Sequence, residues 1–280
     1  MNPTTALPFA RDLPRHAHVV ESLRTAVRGD EFWRWMELGC SLAAGRGDEL
    51  SDIDAGIGYR GNTSAEHLIE LGTDLVGTAG PIVDLLVHHM PGWPEQTRRF
   101  AVEYESGVQL DLVLMPAERR PGLPDGSLAL VDKDGTLANP FTPPVAEPPP
   151  GETAEEWLML GWWALSDVAK YLRRGSLHEA VARIGEARTL ALQLWAVALG
   201  IPYPSFGLTS LLDYPPFELP DGLEATYARP SSRAEVIEAA WATADLLERA
   251  GHDAGSVVGF DPNTPWSGLA RRRLGEAAAA

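Results

Sequence analysis

The sequence predicts an α+β protein in which a mixed-sheet α/β domain is followed by an all-helical domain. In the first half of the chain, segments with the apolar spacing of strands are interspersed with segments that have the spacing of helices. In the second half, the apolar residues mostly follow helical spacing. Between the halves, the segment FTPPVAEPPP (residues 141–150) contains too many prolines for a helix interior or a central strand. We therefore predict domains at residues 1–142 and 151–280, joined by an extended linker at residues 143–150.

The first half has the strand and helix signals of a mixed α/β domain. Helical spacing of apolar residues predicts one or two helices within 15–37 and another within 64–76. Strands are predicted where apolar residues alternate or form short runs, at 36–42, 53–59, 82–87, 100–105, 108–115 and 128–131. Ser106-Gly107 is a connection of hairpin length, which predicts that the strands on either side of it pair.

The second half has the pattern of a helical bundle. Long segments with helical spacing of apolar residues cover 154–174, 177–199 and 233–250. Gly175 separates the first two, as expected for a residue that ends a helix. The second domain is therefore predicted to consist of helices.

Charge and cysteine content exclude several classes of protein. With 23 Lys and Arg against 39 Asp and Glu, the net charge is −16, which disfavours binding to nucleic-acid phosphates or to anionic membranes. A single cysteine, Cys40, excludes an intramolecular disulfide and disfavours a cysteine-based zinc site. Since no apolar stretch is long enough to span a bilayer, we expect a soluble, cytoplasmic protein.

A polar constellation at residues 39–54 predicts a magnesium-phosphate site. Asp52 and Asp54 are two residues apart on a predicted strand, so their side chains share a face. Two adjacent carboxylates are costly unless a cation lies between them, and Mg²⁺ prefers oxygen ligands together with substrate phosphates. In the preceding loop, the hydroxyl of Ser41, the flexible backbone at Gly45 and the guanidinium of Arg46 are suited to phosphate oxygens.

Asp111 is the predicted third carboxylate of this site. It lies on the second strand of the predicted hairpin and precedes the apolar residues 112–114. A carboxylate there is suited to bind a second metal ion or to accept the proton of an attacking hydroxyl. Asp84 is a competing candidate within its own apolar run, and we rank it below Asp111 because of the hairpin context.

This arrangement of motifs resembles a known enzyme superfamily. The run from Ser41 to Asp54, in which the first aspartate lies 52 − 41 = 11 positions after the serine, is similar to the Gly-Ser turn and Asp-x-Asp signature of the DNA polymerase β-type nucleotidyltransferases. The stretches 105–113 and 130–135 resemble the bacterial aminoglycoside nucleotidyltransferases, especially the streptomycin adenylyltransferases. The resemblance is specific across residues 38–135 and only coarse in the helical half. Cys40 departs from it, because the family usually has glycine immediately before the serine.

The resemblance implies a nucleotidyltransferase domain, a helical substrate-binding domain and a Mg²⁺-dependent reaction. A nucleoside monophosphate, usually AMP from ATP, is transferred to a hydroxyl group, and pyrophosphate leaves. The resemblance gives Ser41 the role of phosphate binding, Asp52 and Asp54 metal ligation, and Asp111 that of the third carboxylate. We expect ATP as co-substrate and a small hydroxylated acceptor, with a polycationic aminoglycoside antibiotic as the first choice.

Three questions are left open by the sequence. Lys170, on a predicted helix of the second domain, is a candidate for nucleotide binding, although a solvated helix face is the default interpretation of such a residue. The acceptor is a protein side chain in one alternative, as in AMP-transferring toxin-antitoxin systems. In another, Cys40 marks a nucleotide-binding regulatory module that has weakened catalysis.

Overall fold

A computed structural model describes residues 6–61, 63–90, 93, 96–120, 122–141, 150–201, 204–213 and 219–279. The chain divides into two compact units, Met1–Ala146 and Glu147–Ala280. The first contains a six-stranded mixed sheet and the second contains helices, so the predicted α+β class is confirmed. Of the predicted linker at 143–150, residues 143–149 lie outside the described residues, and Pro150 begins a helix.

The sheet of the first unit has one parallel pair of strands at its centre. Its strands are β1 Trp33–Leu38, β2 Ile53–Tyr59, β3 Ile82–His89, β4 Arg98–Tyr104, β5 Gln109–Pro116 and β6 Leu128–Asp132. Their spatial order is β3-β4-β5-β2-β1-β6. β2 and β5 run parallel, whereas every other neighbouring pair is antiparallel. The predicted hairpin is confirmed as β4 and β5, and Gly107 lies in its turn with a φ of 77°.

Helices cover one face of this sheet. They are α1 Pro14–Gly29 and α3 Ala65–Gly77, and a one-turn helix, α2 Cys40–Ala43, follows β1. α1 contacts β1 and β6, whereas α3 contacts β4. Because side chains alternate along a strand, Phe100 and Leu112 point into this covered core, and both are fully buried. The adjacent residues Arg99 and Asp111 point to the opposite face. We call it the open face because no described helix of the first unit contacts it around these two residues, although a small buried cluster that includes Trp35 and Met115 covers another part of it.

One predicted helix is wrong in part. The spacing predicts one or two helices within 15–37 and a strand at 36–42, but α1 ends at Gly29, β1 covers Trp33–Leu38 and the helix α2 covers Cys40–Ala43. The carboxylate of Asp30 accepts a hydrogen bond of 2.8 Å from the backbone N–H of Phe32 and stabilises the turn between α1 and β1. β1 lies between two other strands and is buried at all of its residues, so its sequence shows no alternation that would distinguish it from a helix.

The second unit is built from long helices, most of which the sequence predicts. They are α4 Pro150–Arg173, α5 Leu177–Ala198, α6 Leu208–Asp213, α7 Arg233–Val258 and α8 Pro265–Ala278. α4 packs against α5, α7 and α8, and α5 packs against α7 around a core of mainly alanine and leucine. α8 was not predicted, and Thr264 caps its start by accepting a hydrogen bond from the backbone N–H of Trp266. Among the described helices, none has the length and apolar character needed to cross a membrane.

Candidate active site

The parallel pairing of β2 with β5 brings the predicted carboxylates together. Asp54 on β2 lies directly opposite Asp111 on β5, so both side chains belong to the open face of the sheet. Asp52 immediately precedes β2 rather than lying on it, and its side chain is exposed. The three aspartates that the sequence selected therefore lie at one place on the sheet, where two strands that are not consecutive in the chain meet.

Asp54 is the carboxylate with the most perturbed acidity. Burial, followed by the charge of Asp52, raises its pKa to about 6, and the charge of Asp111 adds to this effect. A hydrogen bond from the thiol of Cys40 and the charge of Arg99 act in the opposite direction. The raised pKa means that the negative charge at Asp54 is incompletely compensated by the protein, which is the electrostatic condition that favours a bound cation.

Cys40 contacts this centre directly. Its φ of 53° is the only positive value at a residue other than glycine in the described part of the chain. A side chain in the left-handed region is disfavoured by about 1–2 kcal/mol, which explains why glycine is the more usual residue at such a turn. Gly39, just before it, donates its backbone N–H to the carbonyl of Asp54 at 2.9 Å. The turn is thus hydrogen-bonded to the strand that carries the carboxylates, and the cysteine is accommodated within it.

The predicted phosphate loop is a helical turn followed by an exposed segment. Ser41 lies in α2, and its hydroxyl forms no hydrogen bond with any of the described residues. Its carbonyl accepts a hydrogen bond of 2.9 Å from the backbone N–H of Arg46, whose side chain is exposed. Gly45 has a φ of 69°, which a residue with a side chain rarely adopts. Ser41 and Arg46 are therefore positioned by one tight turn.

Arg99 is the residue of this site that sequence reasoning missed. Its Nε donates to Oδ1 of Asp111 at 2.7 Å, and its Nη2 donates to the other carboxylate oxygen. Asp111 holds the pKa of the guanidinium above its ordinary value. The signal was present in the sequence, because a hairpin turning at Ser106-Gly107 pairs Ala101 with Asp111 and places Arg99 diagonally from it on the same face.

Glycines on β2 make room for large side chains of the neighbouring strand β1. A Cβ atom at Gly56 would lie 2.7 Å from Oε1 of Glu37, and one at Gly58 would lie 2.1 Å from Nε1 of Trp35. Glu37 is 4% exposed and pairs with Arg120 at 2.8 Å, although burial raises the pKa of its carboxyl group. This buried ion pair lies on the same face of the sheet as Asp54.

Two other candidates lie elsewhere. Asp84 is exposed on β3, the edge strand, and β4 and β5 separate it from β2. Three interstrand spacings amount to about 14 Å, so Asp84 is not a member of the carboxylate group. Lys170 belongs to the second unit, where its ammonium group bonds the carboxylate of Asp167 at 2.7 Å and lies 4.7 Å from the ring centre of Tyr171. Its predicted contact with nucleotide stays a prediction.

The carboxylate oxygens of two aspartates, Asp52 and Asp54, fit a magnesium ion, and the third aspartate of the group, Asp111, is paired with Arg99. Among the described residues, no group of three or more His, Cys, Asp or Glu side chains is arranged to hold a metal ion. The negative charge of Asp111 is compensated by the ion pair with Arg99, whereas the negative charges of Asp52 and Asp54 repel each other. Two carboxylates supplemented by substrate phosphates are a common way of binding Mg²⁺. The role of Asp111 as a further metal ligand stays a prediction.

The chain resembles solved structures more than it resembles known sequences. The sequence matches no protein-family model and no curated protein. Among solved structures, the chain is similar to an aminoglycoside 6-adenyltransferase from Bacillus subtilis, with a TM-score of 0.41 and 15% sequence identity, over 94% of this chain and 98% of that chain.

Proposed function

We propose that the protein is a Mg²⁺-dependent nucleotidyltransferase that transfers AMP from ATP to a hydroxyl group of a small molecule. The observation that carries this proposal is the juxtaposition of Asp54 and Asp111 on parallel neighbouring strands, next to Asp52 and on the open face of the sheet. A general base for the hydroxyl and the ligands of a phosphate-binding magnesium ion can both be carboxylates, and this is where the sheet supplies them.

Asp111 is proposed as the general base. Arg99 engages both of its oxygens, but each carboxylate oxygen has a second lone pair, so Asp111 retains the capacity to accept a proton. The acceptor oxygen forms a bond to the α-phosphorus as its proton passes to Asp111. The bond between the α-phosphorus and the bridging oxygen breaks, and pyrophosphate leaves with that oxygen.

The remaining residues bind and orient the triphosphate. Asp52 and Asp54 would hold magnesium, which when bound neutralises phosphate charge. The hydroxyl of Ser41 and the guanidinium of Arg46 are proposed to contact phosphate oxygens, and Gly45 allows the turn that positions them. The net charge of −16 favours a cationic acceptor, for which an aminoglycoside is the first choice.

Pyrophosphate release in the presence of ATP, Mg²⁺ and a panel of aminoglycosides and other hydroxylated compounds tests this proposal. Asp52→Asn and Asp54→Asn are each expected to lower the rate by at least about a hundredfold. Asp84→Asn is the matched control, because it removes an exposed carboxylate of the same sheet that lies outside the group, and its rate should stay within about twofold of wild type. Circular dichroism melting verifies that each variant is folded.

Full activity of folded Asp52→Asn or Asp54→Asn would contradict the proposed roles of these carboxylates. ATP labelled at the α-phosphate separates the possible acceptors. Label on a small molecule supports the proposal, whereas label on a protein band would assign the acceptor to a protein. Binding of ATP without turnover of any acceptor would instead favour a regulatory module.

A further inference from the structure

Two adjoining cavities in the second unit form a groove that the proposed transfer reaction does not use. One has a volume of about 440 Å³ and the other of about 340 Å³. Both are lined by Glu152 and Glu155, so they form one continuous surface, which we call the acidic groove. Glu156, Met159, Leu160, Trp163 and Trp266 also line the smaller cavity, and Asp261 lines the larger one. These volumes are in the range of small-molecule sites.

One face of α4 forms the floor of the acidic groove. The lining residues of this helix, from Glu152 to Trp163, recur at intervals of three or four and therefore follow one stripe. Eleven steps of 1.5 Å from Glu152 to Trp163 make this stripe about 16 Å long. Its chemistry changes along its length, because the carboxylates lie towards the beginning of the helix and the apolar side chains follow them.

The apolar end exposes a contiguous surface. Trp163 is 56% exposed and stacks on Trp266, with ring centres 5.2 Å apart and ring planes inclined by 19°. Met159 and Leu160, on the preceding turn, are 42% and 46% exposed. Single exposed apolar residues are normal, but an apolar patch rimmed by polar groups is typical of a binding surface.

The acidic end lacks compensating positive charge. No lysine or arginine is among the described lining residues, and no described basic side chain pairs with Glu152, Glu155 or Glu156. Asp261 adds a carboxylate from the segment after α7. The helix dipole favours an acid in the first turn, which accounts for Glu152, but its effect falls off before Glu155 and Glu156.

From this charge pattern we propose that the acidic groove binds an elongated organic cation. The cationic head lies among the glutamates, and the apolar body lies along Met159 and Leu160 towards the face of Trp163. Carboxylates attract the charge, and an indole face binds a cation or an apolar group without desolvating a polar partner. The proposal goes beyond nucleotide transfer and stands independently of it.

Isothermal titration calorimetry of the full chain with three simple probes tests the groove. Hexyltrimethylammonium combines a cationic head with an apolar tail, hexanesulfonate has the same tail with a negative head, and tetramethylammonium lacks the tail. Hexyltrimethylammonium is expected to bind saturably with one site. Each of the other two should bind at least about tenfold more weakly, because one loses the charge complementarity and the other loses the burial of the tail.

Variants locate the binding. Glu155→Gln combined with Glu156→Gln should weaken hexyltrimethylammonium about tenfold, and Trp163→Ala about fivefold. The matched controls are Glu179→Gln combined with Glu238→Gln, two exposed acids on other helices, and Phe206→Ala, an exposed aromatic residue outside the groove. These controls should leave the affinity at the wild-type value.

Three outcomes would overturn the proposal. They are the absence of saturable binding by any probe, equal affinity for hexanesulfonate and hexyltrimethylammonium, and wild-type affinity in both folded groove variants. The ammonium probes are not substrates of the proposed transfer reaction. The outcome of these binding experiments therefore does not depend on whether the protein releases pyrophosphate.

Discussion

The two faces of the sheet in the first unit carry different kinds of residues on the same strands. On the face that α1 and α3 cover, β4 and β5 contribute Phe100 and Leu112, which are fully buried. On the open face, the same strands contribute Arg99 and Asp111, which pair with each other and adjoin Asp54. Because the strand period is two, neighbouring residues in the sequence serve stability and the proposed chemistry separately. This comparison predicts that single substitutions one residue apart have different consequences.

The largest expected change in the free energy of unfolding comes from a substitution on the covered face. Leu112→Ala removes a fully buried side chain and should lower the free energy of unfolding by about 3 kcal/mol. Asp111→Asn, one residue away, should change it by less than about 1 kcal/mol, since its pair with Arg99 is partly exposed, while abolishing pyrophosphate release. Urea unfolding measures both variants. A loss of stability in Asp111→Asn as large as that in Leu112→Ala would contradict the division between the faces.

An intermediate effect is expected from Asp54, whose charge is unfavourable in the folded protein. Its pKa is raised to about 6 from 3.8, so the folded state binds the proton more tightly than the unfolded state, and stability falls as the pH rises through this interval. Asn resembles the protonated acid. Asp54→Asn should therefore match wild type near pH 4 and exceed it by about 2 kcal/mol above pH 7.

Urea unfolding in EDTA across this pH interval measures the difference between the two proteins. A difference that is constant with pH, or that decreases as the pH rises, would contradict the raised pKa of Asp54. The same experiment with Asp84→Asn is the control, because this exposed residue lies on the edge strand.

The smallest expected effect is a change in kcat when the geometry of the ion pair between Arg99 and Asp111 is altered. Arg99→Lys retains a positive charge but loses the two parallel N–H groups that hold Asp111. If the proposed function holds, kcat should fall about tenfold, which corresponds to about 1.4 kcal/mol, with KM for ATP unchanged. Arg99→Gln, which lacks the charge, should be slower than Arg99→Lys. Equal kcat values in all three proteins would show that Arg99 does not position the base.

Much of the fold follows from local sequence patterns. The alternation at Ile53–Tyr59 gives β2 with its observed bounds, and the turn at Ser106-Gly107 gives the hairpin of β4 and β5. The helical periods gave α3, α4, α5 and α7. β1 was predicted only at its end, within 36–42, because a strand that is buried at all of its residues shows no alternation of apolar and polar positions.

The sequence by itself determined which residues are acidic, that Asp54 and Asp111 lie on strands, and roughly where most helices and strands occur, since these depend on spacing over a few residues. Only the tertiary structure decided that β2 pairs in parallel with β5, which places Asp54 opposite Asp111 although 111 − 54 = 57 positions separate them. It also decided that Cys40 bonds Asp54 from a left-handed turn. Pairing between distant strands is set by packing of the whole sheet, and local spacing carries no information about it.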